Sequence, residues 1–128
     1  MSDYVQIVSI VLNRFKITEK DLKSKSKMRN ITLAKRVVVS LLHHNCNTKR
    51  KEISKEADMP YDMVTHYLRT HLDCIEKDTY YAERFHLCRK DYVNSQESMY
   101  KEQLEELKKE YNLVKSRLKS ILSNTTKN

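Results

Sequence analysis

The segment from Arg14 to Arg36 reads RFKITEKDLKSKSKMRNITLAKR and places a strongly basic run between two helix signals. It holds nine lysines and arginines against two acids, a net of +7 in a chain whose formal charge is +8. Thr18 followed by acids predicts a helix start, and the segment ends in the apolar repeat of a further helix. The run from Lys23 to Asn30 is therefore predicted to be a basic loop held within a fold. Such a loop is either a solvated charged surface or a contact for a polyanion, whose phosphates release counterions when they are neutralised.

The composition of the whole chain favours an all-α protein. The 128 residues include no glycine and a single proline, so tight hairpins and glycine-rich phosphate loops are not expected. No apolar run is long enough to span a bilayer, and the N-terminus lacks the positive charge of a signal peptide. Three cysteines without framework spacing indicate reduced thiols and a cytoplasmic location.

Apolar spacing predicts six helices. The first spans Asp3 to Phe15, and a short second helix runs from the Thr18 cap to Leu22. Thr32 is predicted to cap a third helix that begins at Leu33 and ends near His44. Thr48 and Glu52 are predicted to open a short fourth helix. A final long helix is predicted to begin at Thr79.

The fourth and fifth helices form the pattern of a helix-turn-helix. Pro60 follows Asp58 and Met59, and this break separates the fourth helix from a fifth that runs from Tyr61 to about Lys77. The buried face of the fifth helix is predicted to contain Val64, Tyr67, Leu68, Leu72 and Ile75. A helix, a tight break and a second helix, preceded by a helix that buries both, are typical of DNA-binding domains.

The last helix carries a heptad repeat. Apolar residues there recur at alternating steps of four and three, as in a coiled-coil seam. This seam is predicted either to form a homodimer or to fold back on the domain, and it contains Leu104, Leu107, Tyr111, Val114, Leu118 and Ile121. The predicted organisation is a helix-turn-helix domain at 1–94, a heptad helix at 95–122 and a disordered tail at 123–128.

The stretch from about Asp3 to Lys77 resembles the C-terminal DNA-binding domain, domain IV, of the bacterial replication initiator DnaA, which has a Trp-repressor-like helix-turn-helix. The resemblance rests on Arg14 to Leu22, on the basic loop from Lys23 to Arg29, and on Ala34 to Leu42. It continues at Glu52-Ile53 and at Val64-Thr65-His66 with Arg69.

The resemblance implies that this chain binds double-stranded DNA as a regulator or an accessory replication factor. Lys27 and Arg29 match loop positions that enter the minor groove in that family, and Lys35 and Arg36 match phosphate contacts. Charge and helix position add further candidates for DNA contact. These are Lys23, Lys25, Lys49, Arg50, Lys51, Tyr61, Thr65, His66 and Arg69.

The family's diagnostic Gly-Gly-Arg-Asp-His-Thr-Thr-Val is replaced here by the segment from Asp58 to Val64. The side chains that read bases in the family are therefore absent, and we do not expect recognition of the initiator's usual DNA box. Asp62 also places a negative charge where the helix would meet DNA. These departures motivate an alternative function, a protein-interaction module whose DnaA-like domain no longer binds DNA.

Chemical function is not indicated by any motif. His71 with Cys74, and His43, His44 with Cys46, could be drawn as metal ligands, but no partner pair completes a four-ligand set. No catalytic triad, carboxylate pair or Walker motif is present, so neither an enzyme nor a bound cofactor is expected. The expected setting is the cytoplasm of a bacterium, with a chromosome, a phage or a mobile element as the source of the gene.

Overall fold

A computed structural model describes residues 2–126 of the chain, and within these residues it contains six α-helices and no β-strand. The predicted all-α class is therefore confirmed, with the helix-turn-helix pattern in place and a long helix at the C-terminus. The helices are α1 (Asp3–Phe15), α2 (Glu19–Lys23), α3 (Arg29–His44), α4 (Arg50–Glu56), α5 (Tyr61–Lys77) and α6 (Thr79–Thr126).

The predicted start of α2 is confirmed in atomic detail. The Thr18 hydroxyl accepts a hydrogen bond from the Asp21 backbone N–H, and the Asp21 carboxylate accepts one from the Thr18 N–H, each at 3.1 Å. This reciprocal capping box satisfies two helix-end donors and sets where the chain turns after α1. It therefore fixes the position at which the basic loop departs.

The predicted start of α3 was wrong by four residues, and Thr48, which was predicted to open α4, lies two residues before the first residue of that helix. Helix α3 begins at Arg29 and not at Leu33, because Ile31 extends the apolar stripe by one turn and is 7% exposed. Thr32 lies inside this helix, where its hydroxyl donates to the Arg29 carbonyl at 3.0 Å. Helix α4 begins at Arg50, and its N-cap residue Lys49 makes no side-chain cap. The irregular part of the basic loop is thus confined to Ser24–Met28.

Helix α3 lies at the centre of the core and contacts α1, α2, α4 and α5. Val37, Val39 and Leu41 are completely buried, so this helix presents apolar side chains on more than one face. Burying one such side chain contributes roughly 1.5–3 kcal/mol to stability. The central position of α3 places its N-terminus, and with it the basic loop, beside the turn between α4 and α5.

The buried face of α5 differs from the prediction at one position. Leu72 is 72% exposed, whereas His71 is 4% exposed and takes its place in the core. Val64, Tyr67 and His71 are spaced by three and four residues, so His71 continues the buried stripe and Leu72 falls one residue off it. The His71 Nδ1 is hydrogen-bonded to the Tyr81 hydroxyl at 2.6 Å, and its ring packs against Phe85 with centroids 4.5 Å apart.

Contacts within the chain divide it into two units after Tyr92. The first contains α1 to α5 and the first turns of α6, where Tyr81, Phe85, Cys88 and Tyr92 are buried. The second is the remainder of α6 from Val93, in which every side chain from 97 to 124 is exposed. Helix α6 includes positions 123–126 of the predicted disordered tail, and positions 127–128 lie outside the described residues.

Candidate nucleic-acid interface

The basic loop between α2 and α3 has a defined backbone. The Ser24 hydroxyl donates to the Asp21 carbonyl at 2.6 Å and accepts from the Ser26 N–H at 3.4 Å. The Ser26 hydroxyl in turn accepts from the Met28 N–H at 3.2 Å. These local turns hold the serines against the backbone. Lys25 and Lys27, each of which follows one of these serines, are exposed to solvent.

Lys35 does not extend towards solvent with the loop lysines. Its Nζ donates to the Ser24 carbonyl at 2.5 Å, and partial burial lowers the pKa of its ammonium. The contact ties the first turns of α3 to the start of the loop. The structure thus gives Lys35 a positioning contact within the protein, at a residue that the sequence predicted to touch phosphate.

Arg36 is also engaged inside the domain. Its Nε donates to the Thr70 hydroxyl at 3.1 Å, and its guanidinium lies over the rings of Tyr67 and Tyr81, at 5.1 and 5.7 Å from their centroids. A guanidinium held over two aromatic rings gains packing contacts in addition to cation–π attraction. Arg36 therefore fastens α3 to α5 and to the start of α6.

Arg29 lies at the end of the basic loop, and most of its side chain is exposed to solvent. Its Nη2 is 2.7 Å from both carboxylate oxygens of Asp78, and its side chain is 68% exposed. The hydrogen bond from Arg29 holds the pKa of Asp78 below its usual range. The guanidinium carbon also lies 5.7 Å from the centroid of Tyr80. Asp78 and Tyr80 thus orient an arginine that remains accessible from outside.

The turn between α4 and α5 is built without glycine. Asp58 has a φ of 50°, a left-handed conformation that aspartate tolerates better than most residues. The Ser54 hydroxyl donates to the Met59 carbonyl across the turn. Ile53 is completely buried and anchors α4, while Val64 does the same for α5. The left-handed residue, the hydrogen bond across the turn and the two buried side chains therefore set the angle of the helix-turn-helix.

Helix α5 presents part of the predicted contact set to solvent. Tyr61 is 46% exposed, and Asp62, His66 and Arg69 are exposed along the same helix. Thr65 is turned inward, since its hydroxyl is buried and has no hydrogen-bond partner among the described residues. Lys49, Arg50 and Lys51 are exposed at the beginning of α4, where the helix dipole adds to their positive charge.

The basic loop and the helix-turn-helix share a cleft of about 350 Å³. One wall is formed by the loop, with Lys23, Lys25 and Lys27, and the other by the turn and the first residues of α5. Met59, Pro60, Met63 and Tyr67 supply its apolar surface. Sequence reasoning missed the role of Met59 and Met63, because nothing local to them indicates that they face a loop more than 30 residues earlier. The structure thus brings the loop lysines and the start of α5 onto one surface.

Acidic groups modify the charge of this surface without cancelling it. Asp58 lines the cleft, and Lys23 pairs with Glu19 through an exposed contact of 3.1 Å. Exposed pairs of this kind contribute little to stability and yield readily to competing anions. Within residues 2–126 no group of three histidines, cysteines or acids is arranged to hold a metal ion. None of the helices in this part of the chain is long and apolar enough to cross a membrane.

Comparison with known families shows which family the chain resembles. A family model described as the bacterial dnaA protein helix-turn-helix matches residues 4–68, which is about half of the chain and includes α1 to α4 and the first turns of α5. No curated protein matches the chain at a significant level. The matched residues contain the basic loop, the turn and the start of α5, the three parts that meet at the cleft.

Proposed function

Because this chain belongs to the family of the bacterial DnaA helix-turn-helix, a DNA-binding domain, we propose that it binds double-stranded DNA and acts as a regulator or an accessory replication factor. The observation that carries the proposal is the shared surface, on which three loop lysines lie across a cleft from the start of α5. We place this activity in the cytoplasm of a bacterium, where double-stranded DNA is found.

The roles of the residues follow from their exposure. Lys23, Lys25, Lys27 and Arg29 contact phosphate or the minor groove, since they are exposed and lie in or beside the loop. Tyr61, His66 and Arg69 face the major groove from α5. Lys49 to Lys51 contact the adjoining sugar-phosphate backbone of the DNA. Lys35 and Arg36 hold the loop and α5 in place from beneath, through the contacts with Ser24 and Thr70.

Lysine contacts fix position more than sequence. Lysine is a flexible point charge, whereas arginine presents a planar fork that pairs with base edges. On the exposed face of α5, Arg69 is basic and Asp62 is acidic, so the positive charge of the surface comes mainly from the loop. We therefore expect high affinity for duplex DNA in low salt and modest discrimination between sequences.

A gel-shift experiment on a short mixed-sequence duplex tests the proposal. Lys25→Ala with Lys27→Ala removes two exposed loop charges, and we expect the dissociation constant to rise roughly tenfold. Lys109→Ala with Lys119→Ala removes the same charge from the second unit and serves as the matched control. Equal effects of the two double variants would contradict a role for the loop.

The alternative function is a protein-interaction module, and exposed residues on α5 favour it. Tyr61 and Met63 are 46% and 38% exposed, and Asp62 between them is unsuited to a phosphate surface. Under this alternative the wild-type protein would not shift duplex DNA even in low salt. It would instead retain a stoichiometric partner protein after nuclease treatment.

A further inference from the structure

The second unit exposes a continuous apolar seam that the DNA-binding surface does not use. Its six predicted members are between 52% and 66% exposed, with Leu104 the least and Tyr111 the most. These residues recur at steps of three and four over three heptads, so they form one stripe along the helix. A contiguous apolar stripe of this length on a polar helix marks an interaction surface.

The heptad register assigns a charge to each side of the seam. Leu104, Tyr111 and Leu118 occupy the a positions, and Leu107, Val114 and Ile121 occupy the d positions. The e positions beside them are Lys101, Lys108 and Lys115. The g positions are Gln103, Glu110 and Arg117. One flank is therefore uniformly basic, while the other is mixed.

We infer that the seam binds a second copy of this chain in a parallel, in-register coiled-coil dimer, in which Glu110 faces the partner's Lys115. In a parallel pair each g residue lies beside the e residue of the following heptad on the other helix. Two-fold symmetry forms the Glu110 contact twice. The other g residues, Gln103 and Arg117, meet lysine and leucine, so no acid faces an acid and no base faces a base.

An antiparallel pair is disfavoured by the same charges. It places e positions opposite e positions, and each of its two seam-matching registers sets Lys108 against a lysine of the other helix. Assemblies of three or more helices are also disfavoured. They bury more of the e and g positions, and here five of the six positions from Lys101 to Arg117 carry a charge. The dimer buries the a and d residues and leaves these charges in water.

Charge reversals in the full-length protein test both the partner and its orientation, with sedimentation equilibrium in the absence of DNA as the readout. Glu110→Lys and Lys115→Glu should each raise the dimer dissociation constant by about tenfold, because two attractive pairs become two repulsive ones. Combining the two reversals restores the pair and should return the constant to within about twofold of wild type. Glu106→Lys and Lys119→Glu are matched controls at the c and b positions, away from the seam.

Three results would overturn the inference. The first is a monomeric wild-type protein at all attainable concentrations, as expected if the seam folds back within its own chain. The second is single reversals that match their controls. The third is tighter association of Lys115→Glu, which an antiparallel pair predicts because the new acid would face a lysine. Since no DNA is present, none of these results depends on the proposed DNA binding.

Discussion

At the scale of single residues, the basic charges of this protein divide into exposed groups and groups held within the domain. Lys25 and Lys27 extend from a loop that serine hydroxyls hold in place. Lys35 and Arg36 instead form hydrogen bonds with Ser24 and Thr70. The sequence places all four in one basic stretch and cannot separate them. Their separation depends on α3 and α5 lying side by side.

Paired substitutions of Lys35 and Lys27 test this division. Lys35→Met keeps the apolar stem but loses the hydrogen bond to the Ser24 carbonyl, so we expect a loss of about 1 kcal/mol in the free energy of unfolding. Lys27→Met should leave this free energy within about 0.5 kcal/mol of wild type, since the side chain is exposed. Urea denaturation measures both values. A neutral Lys35→Met would contradict the positioning role.

His71 makes stability depend on pH. Burial, with smaller effects of the nearby His44, Arg36 and His86, lowers its pKa from 6.5 to about 4. Between these values the unfolded chain takes up a proton that the folded chain does not, so stability is complete above pH 6.5 and falls as the pH drops towards 4. The loss from this residue is on the order of 3 kcal/mol. Asp21, Asp78 and Asp91 have lowered pKa values and act at lower pH, because their stabilisation is lost only below the ordinary carboxyl range.

Replacement of His71 should flatten this dependence. His71→Gln removes the titrating group, and we expect a smaller change in the urea midpoint between pH 6.5 and 4 than in wild type. His44, whose pKa burial also lowers, should leave a residual slope. His86→Gln is the control, because His86 is exposed. If the two variants show the same slope as wild type, His71 is not the source of the effect.

At the scale of helices, the helix-turn-helix depends on a few fully buried side chains. Ile53 is the completely buried residue of the seven-residue helix α4, so the packing of this helix rests largely on one position. Ile53→Ala should lower the free energy of unfolding by about 2–4 kcal/mol. Leu72→Ala on α5 deletes a side chain that is 72% exposed and should change it by no more than about 0.5 kcal/mol. Comparable losses would mean that Leu72 is buried after all.

The number and order of the helices were predictable from the sequence, while the start of α3 was not. Apolar stripes and Pro60 separate the elements, because both act locally along the chain. The start of α3 was missed because Thr32 resembles a cap, whereas Ile31 gains more by burial in the core. The burial of His71 was missed because histidine is not counted as an apolar residue when a buried stripe is sought. Its partner Tyr81 lies on another helix.

The candidate site shows the same division between local and distant information. The charge of the basic loop is visible in the sequence, and so is the break that precedes α5. The anchoring of Arg29 is not visible, because Asp78 lies 49 residues away. The cleft also escapes prediction, since its apolar side chains Met59 and Met63 acquire their role only when the loop lies against the turn.

At the scale of the whole molecule, net charge and its location argue for a nucleic-acid partner. The chain has a formal charge of +8, and a net of +7 lies between Arg14 and Arg36. Within the first unit that charge is adjacent to a helix-turn-helix, which turns a general preference for polyanions into a defined surface. In the second unit, the lysines at the e positions favour the parallel orientation of the inferred dimer.

The proposed DNA binding is best tested by the salt dependence of duplex affinity, measured by fluorescence anisotropy on mixed-sequence DNA. We predict that the logarithm of affinity falls linearly with the logarithm of salt concentration, with a contribution of roughly 0.9 to the slope from each phosphate contact. Lys25→Ala with Lys27→Ala should therefore reduce the slope by about 2, while Lys109→Ala with Lys119→Ala leaves it unchanged. Absence of binding in low salt would rule out DNA binding by this surface, and a wild-type slope in the loop variant would rule out phosphate contact by the loop.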